Sequence, residues 1–96
     1  MAYRLLTTKQ FEKDLKRCKK RGLPMNKLKE VINELVTSGK LSACFKPHML
    51  HGNRSGQWEC HIQPNWLLIW EQNNSELTLL MLNTGTHADL FGKMKR

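Results

Sequence analysis

The side chains best suited to proton chemistry are four histidines, His48, His51, His61 and His87, all in the C-terminal half of the chain. An imidazole with its unperturbed pKa of about 6.5 gives or takes a proton near neutral pH, and it also ligates metals. Spacing separates the two uses. His48 and His51 form an H-x-x-H pair, but the third ligand would be Cys60 or His61, which are consecutive on a strand-like segment and point to opposite faces. No carboxylate stands at a suitable distance, so the sequence predicts neither a metal nor a cofactor.

Nucleophilic chemistry is no better supported. Cys60 alternates with Trp58 and Ile62 on the apolar side of "QWECHI", and Cys18 belongs to the apolar side of a helix, so both read as small buried hydrophobes. Three cysteines without a C-x-x-C pair give no disulfide framework and point to a reducing compartment. Glu59, Glu71, Glu76 and Asp89 are scattered and read mostly as solvating charges. Acid–base work by imidazoles beside a cationic surface remains. Cleaving RNA needs a base for the 2′-hydroxyl proton, an acid for the departing 5′-oxygen, and positive charge or donors on the phosphate. DNA lacks that hydroxyl, so the chemistry selects RNA.

The elements that must position these groups follow from periodicity. A short strand at Tyr3–Leu6 precedes a weak capping box, Thr7 with Gln10, and a helix from about Thr8 to Arg21. Phe11, Leu15 and Cys18 share one side of it; Lys9, Lys13, Lys16 and Lys20 lie opposite, as either a solvated face or a phosphate-contacting one. Arg21-Gly22-Leu23-Pro24 stops that helix and starts the next, Met25–Thr37, whose stripe is Leu28, Val31, Ile32, Leu35 and Val36. The pair forms a helical hairpin. His48 and His51 fall in the loop-like "KPHMLHG", and three hairpin-linked strands, "QWECHI", "WLLIWE" and "ELTLLML", follow. The last two are apolar on both sides, so both faces are expected to be covered, by the helices and by the terminal segment. Helices first and strands after predict an α+β fold, two N-terminal helices packed on a twisted antiparallel sheet, in a single domain over residues 1–96. Trp58 reads as core, and Trp66 and Trp70 as core or as the edge of a cleft.

Charge is uneven. Residues 1–40 hold 11 Lys and Arg against 4 Asp and Glu, and residues 41–96 hold 5 against 4, so nearly all of the formal +8 lies at one end. Such a field attracts polyanions: nucleic acid, an anionic membrane surface or an acidic protein. No segment reads as a targeting or spanning stretch, which predicts a cytoplasmic protein without a membrane partner. The closing "NTGTHADLFGK" places His87 between a Thr-Gly-Thr turn, where Gly85 supplies a special backbone angle, and the anchoring Leu90 and Phe91.

"HIQPNWLLIWE" followed by "TGTHADLFGK", after two helices and "FKPHMLHG", resembles the RelE-like toxins of bacterial toxin–antitoxin pairs, and among them the YafQ-type branch. The likeness runs from about Phe11 to Gly92. It implies a small α+β fold and a metal-free endoribonuclease that cuts messenger RNA in the ribosomal A site, silenced by a cognate antitoxin. By position it implies active-site roles for His48, His61 and His87, with Trp66 after the turn and Phe91 as terminal aromatic, anchoring the tail or stacking on a base. The row Lys9, Lys13, Lys16 and Lys20 is then expected to meet ribosomal RNA or the acidic antitoxin. Two positions depart from the pattern: Asn65 stands where these toxins usually carry aspartate, and Asn83 where they usually carry arginine. Asparagine hydrogen-bonds but supplies neither a transferable proton nor charge. Three outcomes stay open: an attenuated or non-catalytic binding protein of the same fold, a site shifted onto His48 or His51, Lys46 or Arg54, or an altered sequence.

Overall fold

The computed structural model describes residues 2–91. Gly92 and Lys93 of the closing motif lie outside the described residues. The order of elements is β1 (Arg4–Thr7), α1 (Lys9–Lys20), α2 (Met25–Ser38), β2 (His48–Met49), β3 (Trp58–Gln63), β4 (Trp66–Asn73), β5 (Thr78–Gly85) and α3 (His87–Leu90). The five strands form one sheet in the order β1-β5-β4-β3-β2.

Three of its pairings are antiparallel and one is not. β2 with β3, β3 with β4 and β4 with β5 run antiparallel, but β1 lies parallel to β5, so the sheet is mixed where the sequence predicts an antiparallel one. Short turns force their strands to reverse, whereas β1 and β5 have most of the chain between them and no turn dictates their sense. β2 is a second departure: the "KPHMLHG" segment read as loop contributes two residues to the ladder.

α1 begins one residue later than its expected cap. Thr8, not Thr7, is the N-cap and accepts from the Phe11 N–H at 3.0 Å, while Thr7 Oγ1 donates to Glu12 at 2.6 Å. α2 ends at Gly39, which takes the left-handed conformation at φ 73° and lies under the Tyr3 ring, where an added Cβ would stand 2.5 Å from the phenolic oxygen.

The core lies between the helices and one face of the sheet. Phe11 and Cys18 of α1 and Leu28, Val31 and Leu35 of α2 meet Cys60, Ile62, Trp66, Leu68, Trp70, Leu79 and Met81. Trp58 stacks on Trp70 at 6.1 Å, on the same side. Leu67 and Ile69 are equally buried, so β4 is covered on both faces as its composition predicts.

One buried polar group ties α1 to the sheet. Asp14 is 1% exposed, and the sequence reading gave it no role. Its carboxylate accepts from Gln10 Nε2 at 2.9 Å, Arg17 Nη2 at 3.0 Å and the Thr84 N–H at 3.1 Å. Thr84 is fully paired in turn: its hydroxyl donates to the Leu67 carbonyl at 2.7 Å and accepts from the Trp66 indole at 2.9 Å, and its carbonyl accepts from Arg17 at 3.3 Å. Replacing Asp14 strips the buried Thr84 N–H of its acceptor and the Arg17 guanidinium of one of its partners. Asp14→Ala should therefore lose about 2–3 kcal/mol of stability in urea unfolding. A loss within about 0.5 kcal/mol, the range of an ordinary surface substitution, would show the network to be dispensable.

Candidate active site

β3 alternates, and the alternation sorts its chemistry. Trp58, Cys60 and Ile62 enter the core while Glu59 and His61 face the other way. β2 sets His48 opposite Glu59, and His48 Nε2 stands 2.9 Å from Glu59 Oε1. On its other side His48 Nδ1 lies 2.9 Å from the Lys46 carbonyl, which a left-handed backbone at Lys46, φ 51°, brings to the ring. A carbonyl only accepts, so Nδ1 carries hydrogen and Nε2 addresses the carboxylate. The ring is thus held from both sides, by the Lys46 carbonyl and the Glu59 carboxylate. The His61 ring lies 6.2 Å from that of His48, and its Nδ1 faces the Pro64 carbonyl at 3.3 Å, leaving Nε2 outward. A cleft of about 270 Å³ opens beside His61, lined by Phe45, Lys46, Gln63 and Pro64 among others.

His87 reaches the same end of the sheet from β5. His61 pairs with Leu67 and Leu67 with Gly85, so the end of β5 lies two strands from His61, about 10 Å at ordinary strand spacing. Thr86 then caps α3 and His87 is its first residue. The Phe91 ring lies 5.1 Å from that of His87, and the Arg54 guanidinium sits 5.4 Å over Phe91. Arg54, held by Gln57 Oε1 at 2.9 Å, thus carries the loop after β2 across to Phe91.

Gly85 takes the special backbone angle expected of it, φ 159°, and has a second task as well. It is the last residue of a strand, and a Cβ there would stand 2.8 Å from Asp89 Oδ2 and 3.0 Å from Arg17 Nη2. It supplies the angle and makes room, and Thr86 caps the turn that follows.

The structure gathers most of the expected residues and rejects one. His48, His61 and Lys46 meet around the β2–β3 end, and His87, Phe91 and Arg54 around α3. Asn65 is exposed in the turn that carries the Pro64 carbonyl. Asn83 points its amide toward Asp14, 3.5 Å away. His51 is exposed outside the two clusters. Trp66 is the correction: at 1% exposure it lies in the core, because β4 alternation puts it on the helix side with Leu68 and Trp70. Lys9, Lys13, Lys16 and Lys20 are exposed along α1, opposite its buried face.

Other groups at the site were missed. Glu59 pairs with His48, which its place two residues before His61 on an alternating strand would have signalled. Asp89 is held by Arg21, and the sequence carried half of that signal, the T-x-x-D capping spacing from Thr86.

A family model for the bacterial toxin of type II toxin-antitoxin system, YafQ, matches residues 3–92. The mRNA interferase toxin YafQ of Escherichia coli K12 is 39% identical over 84 residues, 86% of this chain and 89% of that protein. The crystal structure of the E. coli DinJ-YafQ toxin-antitoxin complex contains a chain that superposes with a TM-score of 0.86 at 35% identity, over 96% of this chain and all of that one. A metal-bound toxin from Helicobacter pylori follows at 0.84 and 35% identity, covering 95% of this chain and 100% of its own. Fold and site thus define a bacterial type II toxin of RelE-like architecture, an endoribonuclease. More narrowly, the chain belongs to the YafQ family.

The Asp89 carboxyl is held well below the usual carboxylate range, chiefly by the hydrogen bond from Arg21, with burial opposing. A depressed folded value means stabilisation that is present above the unfolded value, about 3.9, and lost as pH falls through the folded one. The Thr86 amide resonance should therefore hold its position from pH 7 to 5 and shift only below about pH 4. A midpoint at or above pH 4 would deny the pairing.

Proposed function

We propose that this chain cuts messenger RNA in the ribosomal A site by metal-free acid–base catalysis, and that a cognate antitoxin silences it. The observation that carries this reading is the presence of three imidazoles, with Lys46 and Arg54, toward one end of the four adjacent strands β2 to β5. His61 takes the proton of the 2′-hydroxyl as that oxygen attacks phosphorus. His87 protonates the 5′-oxygen that leaves. His48, held between the Lys46 carbonyl and Glu59, stands beside His61, and Lys46 and Arg54 bring cations to the two clusters to offset the charge of the phosphorane. Phe91 stands beside His87 where a base can stack.

The partners follow from charge and kinship. The E. coli relative is named an mRNA interferase and was crystallised with the antitoxin DinJ. Lys9, Lys13, Lys16 and Lys20 offer ribosomal RNA or an acidic antitoxin segment a continuous cationic face. Among the described residues no helix is long and apolar enough to cross a membrane. A protein acting on translated messages works in the cytoplasm, as one domain. Neutral Asn65 and Asn83 leave the proton transfers to the histidines.

Metal dependence is open to direct test because one similar toxin is described as metal-bound. Among the described residues no three His, Cys, Asp or Glu side chains are grouped to hold an ion. Message cleavage by the purified chain should persist after exhaustive EDTA treatment of the toxin, with magnesium restored for the ribosomes alone. Recovery only on adding zinc or copper would overturn the metal-free mechanism.

Induced expression of the parent should arrest growth and give discrete primer-extension stops on a translated message. His87→Ala and His61→Ala should each lower cleavage by about 10²–10⁴-fold, the usual worth of a positioned proton-transfer group. Arrest and cleavage at the parent level in both folded variants would sink the assignment.

A further inference from the structure

We infer that Asp89, clamped by Arg21 at the C-cap of α1, is a positioning residue that sets where His87 and Phe91 stand. The inference rests on the functional reading of His87. α3 is one turn of four residues, far too short to be stable by its own hydrogen bonds. Something outside it must fix its place.

Asp89 makes three connections that do so. Its Oδ2 accepts from the Thr86 N–H at 2.9 Å while its own N–H donates to Thr86 Oγ1 at 3.1 Å, a reciprocal box that closes the turn around His87. Its two oxygens also take a forked pair from Arg21, Nη1 to Oδ2 at 2.6 Å and Nη2 to Oδ1 at 3.1 Å. Arg17 Nε adds a third cationic contact at 3.7 Å from Oδ2. A forked guanidinium–carboxylate pair fixes direction as well as distance. Gly85 lets the carboxylate sit against the end of β5, since a Cβ there would collide with it.

Helical geometry converts that clamp into aim. Residues two apart differ by about 200° around the axis, so with Asp89 turned toward α1, His87 is turned away from it. Phe91 is four residues after His87, on the same side, which accounts for their ring separation of 5.1 Å. Arg17 is tied independently to Asp14 and the Thr84 carbonyl. The device therefore runs from the buried Asp14 network to the outward imidazole. Asp89 touches neither substrate nor reacting atoms; it acts through His87.

The test compares the purified parent with Asp89→Ala, Asp89→Asn, Arg21→Ala, the Arg21→Ala/Asp89→Ala double variant and His87→Ala, on a message in a reconstituted translation mixture. Thermal midpoints are measured alongside. Asp89→Ala and Arg21→Ala should each lower kcat by about 10–100-fold, the scale of an ångström-sized misplacement. KM should stay within about twofold, because ground-state binding is not what the clamp supplies. The double variant should be no slower than Asp89→Ala alone, since the two residues act as one unit. Asp89→Asn keeps an acceptor for the Thr86 N–H and should recover part of the rate. Parent kcat in both Arg21→Ala and Asp89→Ala, losses that multiply in the double variant, or losses matched by the unfolded fraction would each overturn the inference. Parent activity in His87→Ala would instead overturn the functional reading. An inactive His87→Ala beside a fully active Asp89→Ala would remove the positioning claim alone.

Discussion

From Trp66 to Trp70 β4 turns neither face to water, and the rest of the molecule is arranged around that constraint. Trp66, Leu68 and Trp70 face one way and are sealed by α1 and α2, while Leu67 and Ile69 face the other and are also excluded from solvent. Strict alternation along a strand then assigns every neighbour a side. Cys60 must join the core and Glu59 and His61 must not, because β3 pairs with β4 residue by residue from Trp58 to His61. The histidines are thus held by a sheet whose register cannot slip by one residue without bringing Glu59 and His61 to the helix side, where Cys60 and Ile62 pack.

The same constraint explains why polar groups at this end are connected to one another and to the core. Burial at the end of β5 leaves the Thr84 backbone and hydroxyl without water, and Asp14, Leu67, Trp66 and Arg17 satisfy all of them. Arg17, drawn in by Asp14, comes within reach of Asp89, and Arg21 lies one helical turn further along α1. Core satisfaction and site placement therefore share residues. A helix read from sequence as a basic outer surface also supplies, from its flank, the cations that hold the histidine-bearing turn.

Much of this was legible in the residues and some was not. The helix stripes, the three hairpin strands and the alternation that makes His61 outward are local patterns, and they survive in the structure because each is set by neighbours a few residues away. The direction of β1 was not legible, since no turn connects it to β5. Asp14 was invisible because a single acidic residue on a polar helix looks like every other surface charge until the sheet is laid against it. Gly85 was noticed for its backbone angle, which the structure has at φ 159°, but not for its missing Cβ, which the structure also uses. Trp66 was assigned to the site by likeness, where alternation with Leu68 and Trp70 already put it inside.

The proposed imidazole acid–base chemistry uses the substrate's own 2′-hydroxyl as nucleophile, and the ends of the cut message report on it directly. With a single 2′-deoxy substitution immediately 5′ of the cleavage point, the account predicts no cut at that bond, and on the unsubstituted message a 2′,3′-cyclic phosphate on the upstream fragment. Cleavage of the deoxy-substituted message, leaving a 3′-hydroxyl and a 5′-phosphate, would contradict it.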